Sequence, residues 1–334
     1  MRGPRSLVTA MAVVCGLVIG ATPLSAYLTF SLPIRGAQTT LKWPGTVRWF
    51  AKDAGGGGVS ASAFQTAIAK AFATWEAVPS ATIGFSFVGF TGASAFADDG
   101  ITVLGFESVP EEDRVLGSTG FTVDLLTGNI VEADIFFNSI FPWSTADGGD
   151  ASRFDLESVA LHEIGHLIGL GHSALGETQL VGPESRRVLA SGSVMFPIAF
   201  GRGNTLDRRL QPDDVAGVTS LYPTADVGTR SGRISGSVVK NGHGVFGAHV
   251  TAFNLQTGEL IAAFTLNAEG DFALTGLSPG PHIVRVEPLD DASVESFFDA
   301  TDPVDANFSV AYGDRVINVV SGGTSTIDLR VQPK

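Results

Sequence analysis

Three of the chain's six histidines fall within LHEIGHLIGLGH, residues 161–172, and no other stretch narrows the choice of fold so far. His162 and His166 stand four residues apart, so on a helix they share one face and can offer two imidazole nitrogens to one metal ion. Glu163 lies beside them, where a general base would meet a metal-held water. His172 comes ten residues after the first histidine, and on a continuous helix it would sit roughly 15 Å away along the axis. The helix must therefore stop. Gly169 is placed to stop it, because glycine takes the left-handed conformation at a helix end without a Cβ penalty and lets the chain bring His172 back. Three protein ligands with one open position is the layout of a catalytic zinc, not a structural one. The plain alternative is a helix whose histidines are only buried and hydrogen-bonded. Asp155, with Ser158 three residues on, reads as an N-cap, and Leu156, Val159, Ala160, Ile164 and Leu167 read as the apolar face of a core helix.

The chain opens on a targeting pattern. Arg2 and Arg5 form a positive start, Leu7 to Ile19 is an apolar run, and Leu24-Ser25-Ala26 suits cleavage, so residues 1–26 are expected to be a signal peptide. The run is short for a membrane span. Cys15, the single cysteine, lies inside this segment, so the mature chain is expected to form no disulfide. Loss of Arg2 and Arg5 takes the net charge from −13 to −15, which argues against nucleic acid or an anionic membrane as partner.

About 300 mature residues suffice for two domains. A strand is expected within 41–51, then a helix capped by Ser60 and running to about Trp75, with Phe64, Ala67, Ile68, Ala71, Phe72 and Trp75 on one face. Strands are expected at 81–88, 100–106, 115–123 and 130–138, ahead of the histidine helix. Together these read as an α/β domain with a mixed sheet. Residues 173–193, rich in Gly, Ser and charge, read as a surface loop. The segment 27–38 reads as a disordered leader, with a pro-peptide as the alternative.

Downstream lie SVMFP, residues 193–197, and LQPDDVAGVTSLYP, residues 210–223. With HEIGHLIGLGH, AIAKAFATWEAVP and VEADIFFNSIFPW, these resemble the matrixins, zinc endopeptidases of the metzincin clan, over about residues 38–224. The resemblance implies a mixed twisted sheet carrying a zinc helix, with His162, His166 and His172 as ligands of one catalytic zinc. It also implies Glu163 as the base, Met195 as an apolar floor beneath the metal, and a substrate strand along an edge near Leu116 to Phe121. The family's structural-zinc histidine is matched here by Phe136, so a second zinc is not expected. Asp134 matches an acidic calcium-ligand position, but its neighbours are Asn138 and Phe141. A calcium site and a hydrogen-bonded turn carboxylate stay open at Asp134. Family latency through a prodomain cysteine is excluded, since the mature chain has none. The long stretch between His172 and Met195 is more similar to bacterial secreted matrixins.

Residues 225–231 read as a linker. Residues 232–334 then alternate apolar positions with frequent turn signals, with Val238, Val245, Val250, Ala252, Phe264, Phe272, Leu274, Leu277, Ile283 and Val286 as core candidates of an all-β sandwich. The stretch EGDFALTGLSPGPHIVRV resembles the carboxypeptidase regulatory-like, transthyretin-like module. His243, His249 and His282 are scattered through it and suggest no second metal site. The expectation is a secreted, monomeric zinc-dependent endopeptidase, in domains 27–224 and 232–334, acting on a protein or peptide. The alternative is a secreted binding protein that keeps a zinc fold without turnover.

Overall fold

The computed structural model describes residues 27–182 and 185–334. The signal peptide expected over residues 1–26, with Cys15, lies outside the described residues.

The chain enters through a hairpin of β1 (Ser31–Ile34) and β2 (Ala37–Thr40). This corrects the reading of 27–38 as a leader. Tyr27 and Leu28 are buried, the Leu28 carbonyl accepts from Gly171 N–H at 2.7 Å, and Phe30 N–H donates to the Gly169 carbonyl at 3.1 Å. Backbone polar groups near the histidine helix need partners, and these residues supply them.

A five-stranded sheet follows, built from β3 (Val47–Lys52), β4 (Phe85–Thr91), β5 (Thr102–Glu107), β6 (Gly117–Val123) and β7 (Ile130–Asn138). Its spatial order is β4-β3-β5-β7-β6, parallel except for β6, which runs antiparallel at one edge. β4 begins four residues later than the strand expected at 81–88. The reason is a competing pairing: Thr82 N–H donates to the Tyr222 carbonyl at 2.8 Å and Ala81 bridges Pro223, which takes these residues out of the sheet.

Helix α1 (Ala61–Glu76) is capped by Ser60, whose hydroxyl accepts from Ala63 N–H at 3.2 Å. It buries the six residues expected of its apolar face, which join the sheet and the second helix in one core. A short parallel pair, β8 (Trp143–Ser144) and β9 (Phe154–Asp155), leads into α2 (Leu156–Leu167). Trp75 Nε1–H donates to the Leu161 carbonyl at 2.9 Å, so the core tryptophan of α1 also positions α2.

Residues 173–193 are not a loop. They hold an antiparallel hairpin of β10 (Gly176–Gly182) and β11 (Ser185–Ser191). Its Gly, Ser and charged residues hid it, and polar side chains help join its strands: Arg186 Nη1 donates to Thr178 Oγ1 at 2.8 Å and Arg187 Nη2 to Gln179 Oε1 at 2.6 Å. Helix α3 (Pro212–Leu221) has Pro212 at its first turn and a reciprocal cap between Gln211 and Asp214. The stretch expected as a linker contains one helical turn, α4 (Val227–Arg230).

From Gly232 onward the chain is all β. One sheet gathers β12 (Gly232–Lys240), β13 (His243–Gly244), β16 (Asp271–Leu277), β20 (Thr324–Thr326) and β21 (Leu329–Val331). The other gathers β14 (His249–Asn254), β15 (Leu260–Phe264), β17 (Gly280–Glu287), β18 (Ala311–Tyr312) and β19 (Ile317–Val319). Buried residues of both sheets share one core. Within β17 the expected inward position Ile283 is only half-buried, while His282, Val284 and Val286 are buried. The strand register is one residue off that reading at Ile283, since alternation sends neighbours to opposite faces. Among the described residues, no helix is long and apolar enough to cross a membrane.

The two units are in contact. Tyr27 Oη donates to the Thr275 carbonyl at 3.0 Å, and Ala216 of α3 belongs to the all-β core. Asp213 of α3 accepts from Ala262 N–H of β15 at 2.9 Å and from Ser173 Oγ at 2.7 Å. Burial, and then the charge of Asp214, push its carboxyl up to about 7. The unfolded chain ionises this group near its ordinary value, so the folded state gains most below about pH 4 and loses that gain as pH rises through about 7. Asp213→Asn is therefore expected to flatten the pH dependence of unfolding free energy across this window, by on the order of 2–4 kcal/mol. Urea unfolding of both proteins at pH 4.5 and 7.5, with chelator present, measures it. An unchanged slope would show that Asp213 is not the group responsible.

Candidate metal centre

Local sequence builds this site from α2 outward. Asp155 caps the helix, accepting from Ser158 N–H at 2.9 Å, and is itself held by the Arg208 guanidinium. At the other end Gly169 sits at φ +104° and closes a two-bond cap. Its N–H donates to the His166 carbonyl at 2.8 Å, and Leu170 N–H donates to the Gly165 carbonyl at 3.0 Å. The remaining end carbonyls are also met: Trp43 Nε1 donates to Leu167 O at 2.8 Å and Tyr222 Oη to Ile168 O at 2.7 Å. The sharp stop turns the chain so that His172 returns to His162 and His166.

The three rings converge through one kind of atom. His166 Nε2 lies 3.1 Å from His162 Nε2 and 3.2 Å from His172 Nε2. Each Nδ1 faces a backbone carbonyl: Val194 for His162 at 2.8 Å, Leu170 for His166 at 2.8 Å and Ser296 for His172 at 2.5 Å. A carbonyl only accepts, so each Nδ1 carries the hydrogen, and in a neutral ring Nε2 is then a bare lone pair. Burial keeps the rings neutral: it drives His162 down to about 3, holds His166 well below its usual value and lowers His172. Three lone pairs aimed at one point repel unless a cation sits between them. Nitrogens at ~2.0–2.1 Å from one tetrahedral ion would be about 3.3–3.4 Å apart, close to the spacing seen. The donor set fits zinc. Among the described residues, these three histidines form the one such group of potential ligands.

Glu163 is buried beside this cluster, and its Oε2 accepts from Thr119 Oγ1 at 2.7 Å. Burial pushes its carboxyl up to about 7, against the lowering effect of the Thr119 hydroxyl. Thr119 lies on β6, the edge strand, which therefore runs past the acid. Met195 is buried against α2, and its turn is tied by Asp214. That carboxylate accepts from Ser193 Oγ at 2.6 Å, Val194 N–H at 2.9 Å and Gln211 N–H at 2.8 Å. Since Val194 also supplies the carbonyl facing His162, Asp214 reaches the histidine cluster through this turn.

Asp134 stands apart from the histidines. Its carboxylate accepts from Phe96 N–H and from Val103 N–H at 2.7 Å, and burial pushes it up to about 7. It is a hydrogen-bonded carboxylate tying the 92–101 loop to β5. Phe136 packs edge-on against Phe96, with centroids 5.5 Å apart. Thr119, Asp214 and Ser296 escaped sequence reading as members of the site. Asp214 alone left a trace, as the third residue of a capped helix; a threonine on a strand and a distant backbone carbonyl leave none.

Gly165 lets Met195 approach α2. A Cβ placed there would lie 2.2 Å from Met195 Sδ and 3.1 Å from Trp75 Cζ2. Gly165→Ala is expected to cost about 1–3 kcal/mol by overpacking, outweighing the ~1 kcal/mol gain in helix propensity. Thermal or urea unfolding of the metal-free protein reads this, and a more stable variant would contradict the packing described.

Metalloendoproteinase 1-MMP of Arabidopsis thaliana is 40% identical over 96 residues, covering 28% of this chain and 22% of that protein. Metalloendoproteinase 1 of Glycine max is 28% identical over 174 residues, covering 48% of this chain and 45% of that protein. The chain thus spans under half the length of either relative. Among solved structures, metalloproteinase-II from Bacteroides fragilis aligns over 58% of each chain at 13% identity, with a TM-score of 0.31. The matrixin family matches residues 50–223, a span running from β3 past the histidine cluster and the Met195 turn to the end of α3 and more than half of the 334 residues; the chain belongs to the matrixin family.

Proposed function

We propose that this protein is a secreted zinc endopeptidase, with His162, His166 and His172 holding the metal and Glu163 acting as general base. The observation that carries the reading is the convergence of three bare Nε2 atoms beside a buried carboxyl. When bound, zinc would polarise the scissile carbonyl and acidify a water at its open position. Glu163 would take the proton from that water and pass it to the leaving amine nitrogen. A carboxyl near 7 is matched to both halves of that transfer, able to gain and to give a proton near neutral pH. Thr119 holds one carboxylate oxygen and leaves the other for the proton.

The substrate would be a protein or peptide lying extended along β6. Among the described residues that strand pairs only with β7 in its sheet, so its outer edge can add a strand and carry the scissile bond over Glu163. Export by the residue 1–26 segment, with a matrixin domain over 27–224 and a carboxypeptidase regulatory-like module over 232–334, completes the proposal.

The test is cleavage of an unstructured protein such as casein by the mature chain, with and without a zinc chelator, beside Glu163→Ala. The expected result is chelator-sensitive cleavage, at least a thousandfold slower in the variant, which should still bind one zinc. That fold-loss combines the contributions of general base and general acid, each roughly 10²–10⁴. A wild-type chain that binds zinc yet cuts neither casein nor a diverse peptide library would defeat the enzyme reading.

A further inference from the structure

Two of the three histidines take their Nδ1 partners from the matrixin unit itself, Val194 and Leu170. The third does not. His172 Nδ1–H donates to the carbonyl of Ser296, 124 residues later, in the loop that joins β17 to β18 of the all-β unit. Ser296 ends a tight turn at Val294–Ser296, where Phe297 and Phe298 N–H both donate to the Val294 carbonyl at 2.9 Å.

The turn is anchored on both sides. Phe297 and Phe298 are fully enclosed in a cluster with Phe264 of the all-β unit and with Leu28, Ala174 and Phe196 of the matrixin unit. The Phe297 ring lies 5.7 Å from Phe264 and 6.1 Å from the His172 ring, between centroids. A second tie comes from the β10–β11 hairpin, whose Thr178 Oγ1 donates to the Asp291 carbonyl at 2.5 Å. The hairpin and the segment after Met195 thus clasp residues 289–298 on the two sides of the third histidine.

We infer that the all-β unit is a working part of the metal centre: its Ser296 carbonyl orients His172 and fixes the tautomer that presents Nε2. This rests on the zinc reading proposed above. A histidine that ligates through Nε2 needs an acceptor at Nδ1 to hold its ring and keep the hydrogen there, and loss of such a partner weakens metal affinity by about 10–100-fold. The acceptor here is not a side chain that evolution could swap in place. It is a backbone atom delivered by the docking of a separate folded unit, so the affinity of the site depends on that docking. Ser296 is a positioning residue, and Phe297 and Thr178 position it in turn.

The experiment uses the full mature chain. Phe297→Ala removes the main anchor, Phe297→Leu restores an apolar one, and Thr178→Val removes the hydroxyl bond to the Asp291 carbonyl while leaving the backbone bond to the Asp291 carboxylate. Phe308→Ala, in the core of the all-β unit and outside the anchoring cluster, controls for general loss of stability. Zinc affinity is measured by competition with a chromophoric chelator, the visible spectrum is recorded with cobalt in place of zinc, and the His172 Nδ1–H is followed by nitrogen-15 NMR. Phe297→Ala is expected to lose about tenfold or more in zinc affinity, with a changed cobalt spectrum and faster exchange of the His172 Nδ1–H. Phe297→Leu should recover most of the loss, Thr178→Val should show a smaller one, and Phe308→Ala should show none beyond its effect on unfolding. Wild-type affinity and spectrum in Phe297→Ala, or equal losses in Phe308→Ala, would overturn the inference while leaving the zinc reading standing. A wild-type chain that takes up no zinc would overturn both.

Discussion

Three imidazole rings pinned by three backbone carbonyls set the terms for the rest of this molecule. A carbonyl at each Nδ1 commits the hydrogen to that side and leaves Nε2 bare, and burial then keeps the rings uncharged. Three lone pairs brought within 4.8 Å of one another repel, so the surrounding fold must hold them there. A cation seated between them would remove that repulsion.

Much of the surrounding architecture can be understood as support for those carbonyls. The Leu170 carbonyl is placed by the glycine stop at Gly169 and clamped by the incoming chain at Leu28 and Phe30. The Val194 carbonyl is placed by the turn that Asp214 ties together, and the Met195 side chain fits against α2 because Gly165 has no Cβ. The Ser296 carbonyl comes from the second unit. The three carbonyls come from residues 170, 194 and 296, with Leu170 and Val194 buried and Ser296 half-buried, each held in place by its own surroundings as a precisely positioned site requires. Glu163 belongs to the same economy of burial: desolvation raises its carboxyl toward neutrality, and the edge-strand hydroxyl of Thr119 restrains both its position and that shift.

What was legible in the chain follows the range of the interactions involved. Helix α1 and its buried face were readable because the 3.6-residue period and the Ser60 cap are local signals. The hairpin at β10–β11 was not, since its Gly, Ser and charged residues resemble loop composition. The shift of β4 was not either, because the residues taken from it pair with Tyr222 and Pro223, well over a hundred positions away. At Ile283 alternation was recognised but its phase was wrong by one, the usual ambiguity where a strand is apolar at adjacent positions. The entry segment read as a leader because a short, mixed stretch carries no sign that its backbone will be needed as a clamp.

By itself the sequence singled out the three histidines, the acid beside them and the helix that carries them, because four-residue spacing on a helix and a glycine stop are properties of the local chain. It also determined the matrixin character of the first unit, through motifs that stay contiguous. Only the tertiary structure decided which atoms orient those histidines. The partners of His162 and His172 are backbone carbonyls 32 and 124 residues away. Every residue has such a carbonyl, so no side-chain pattern can announce which of them the packing will bring to a histidine.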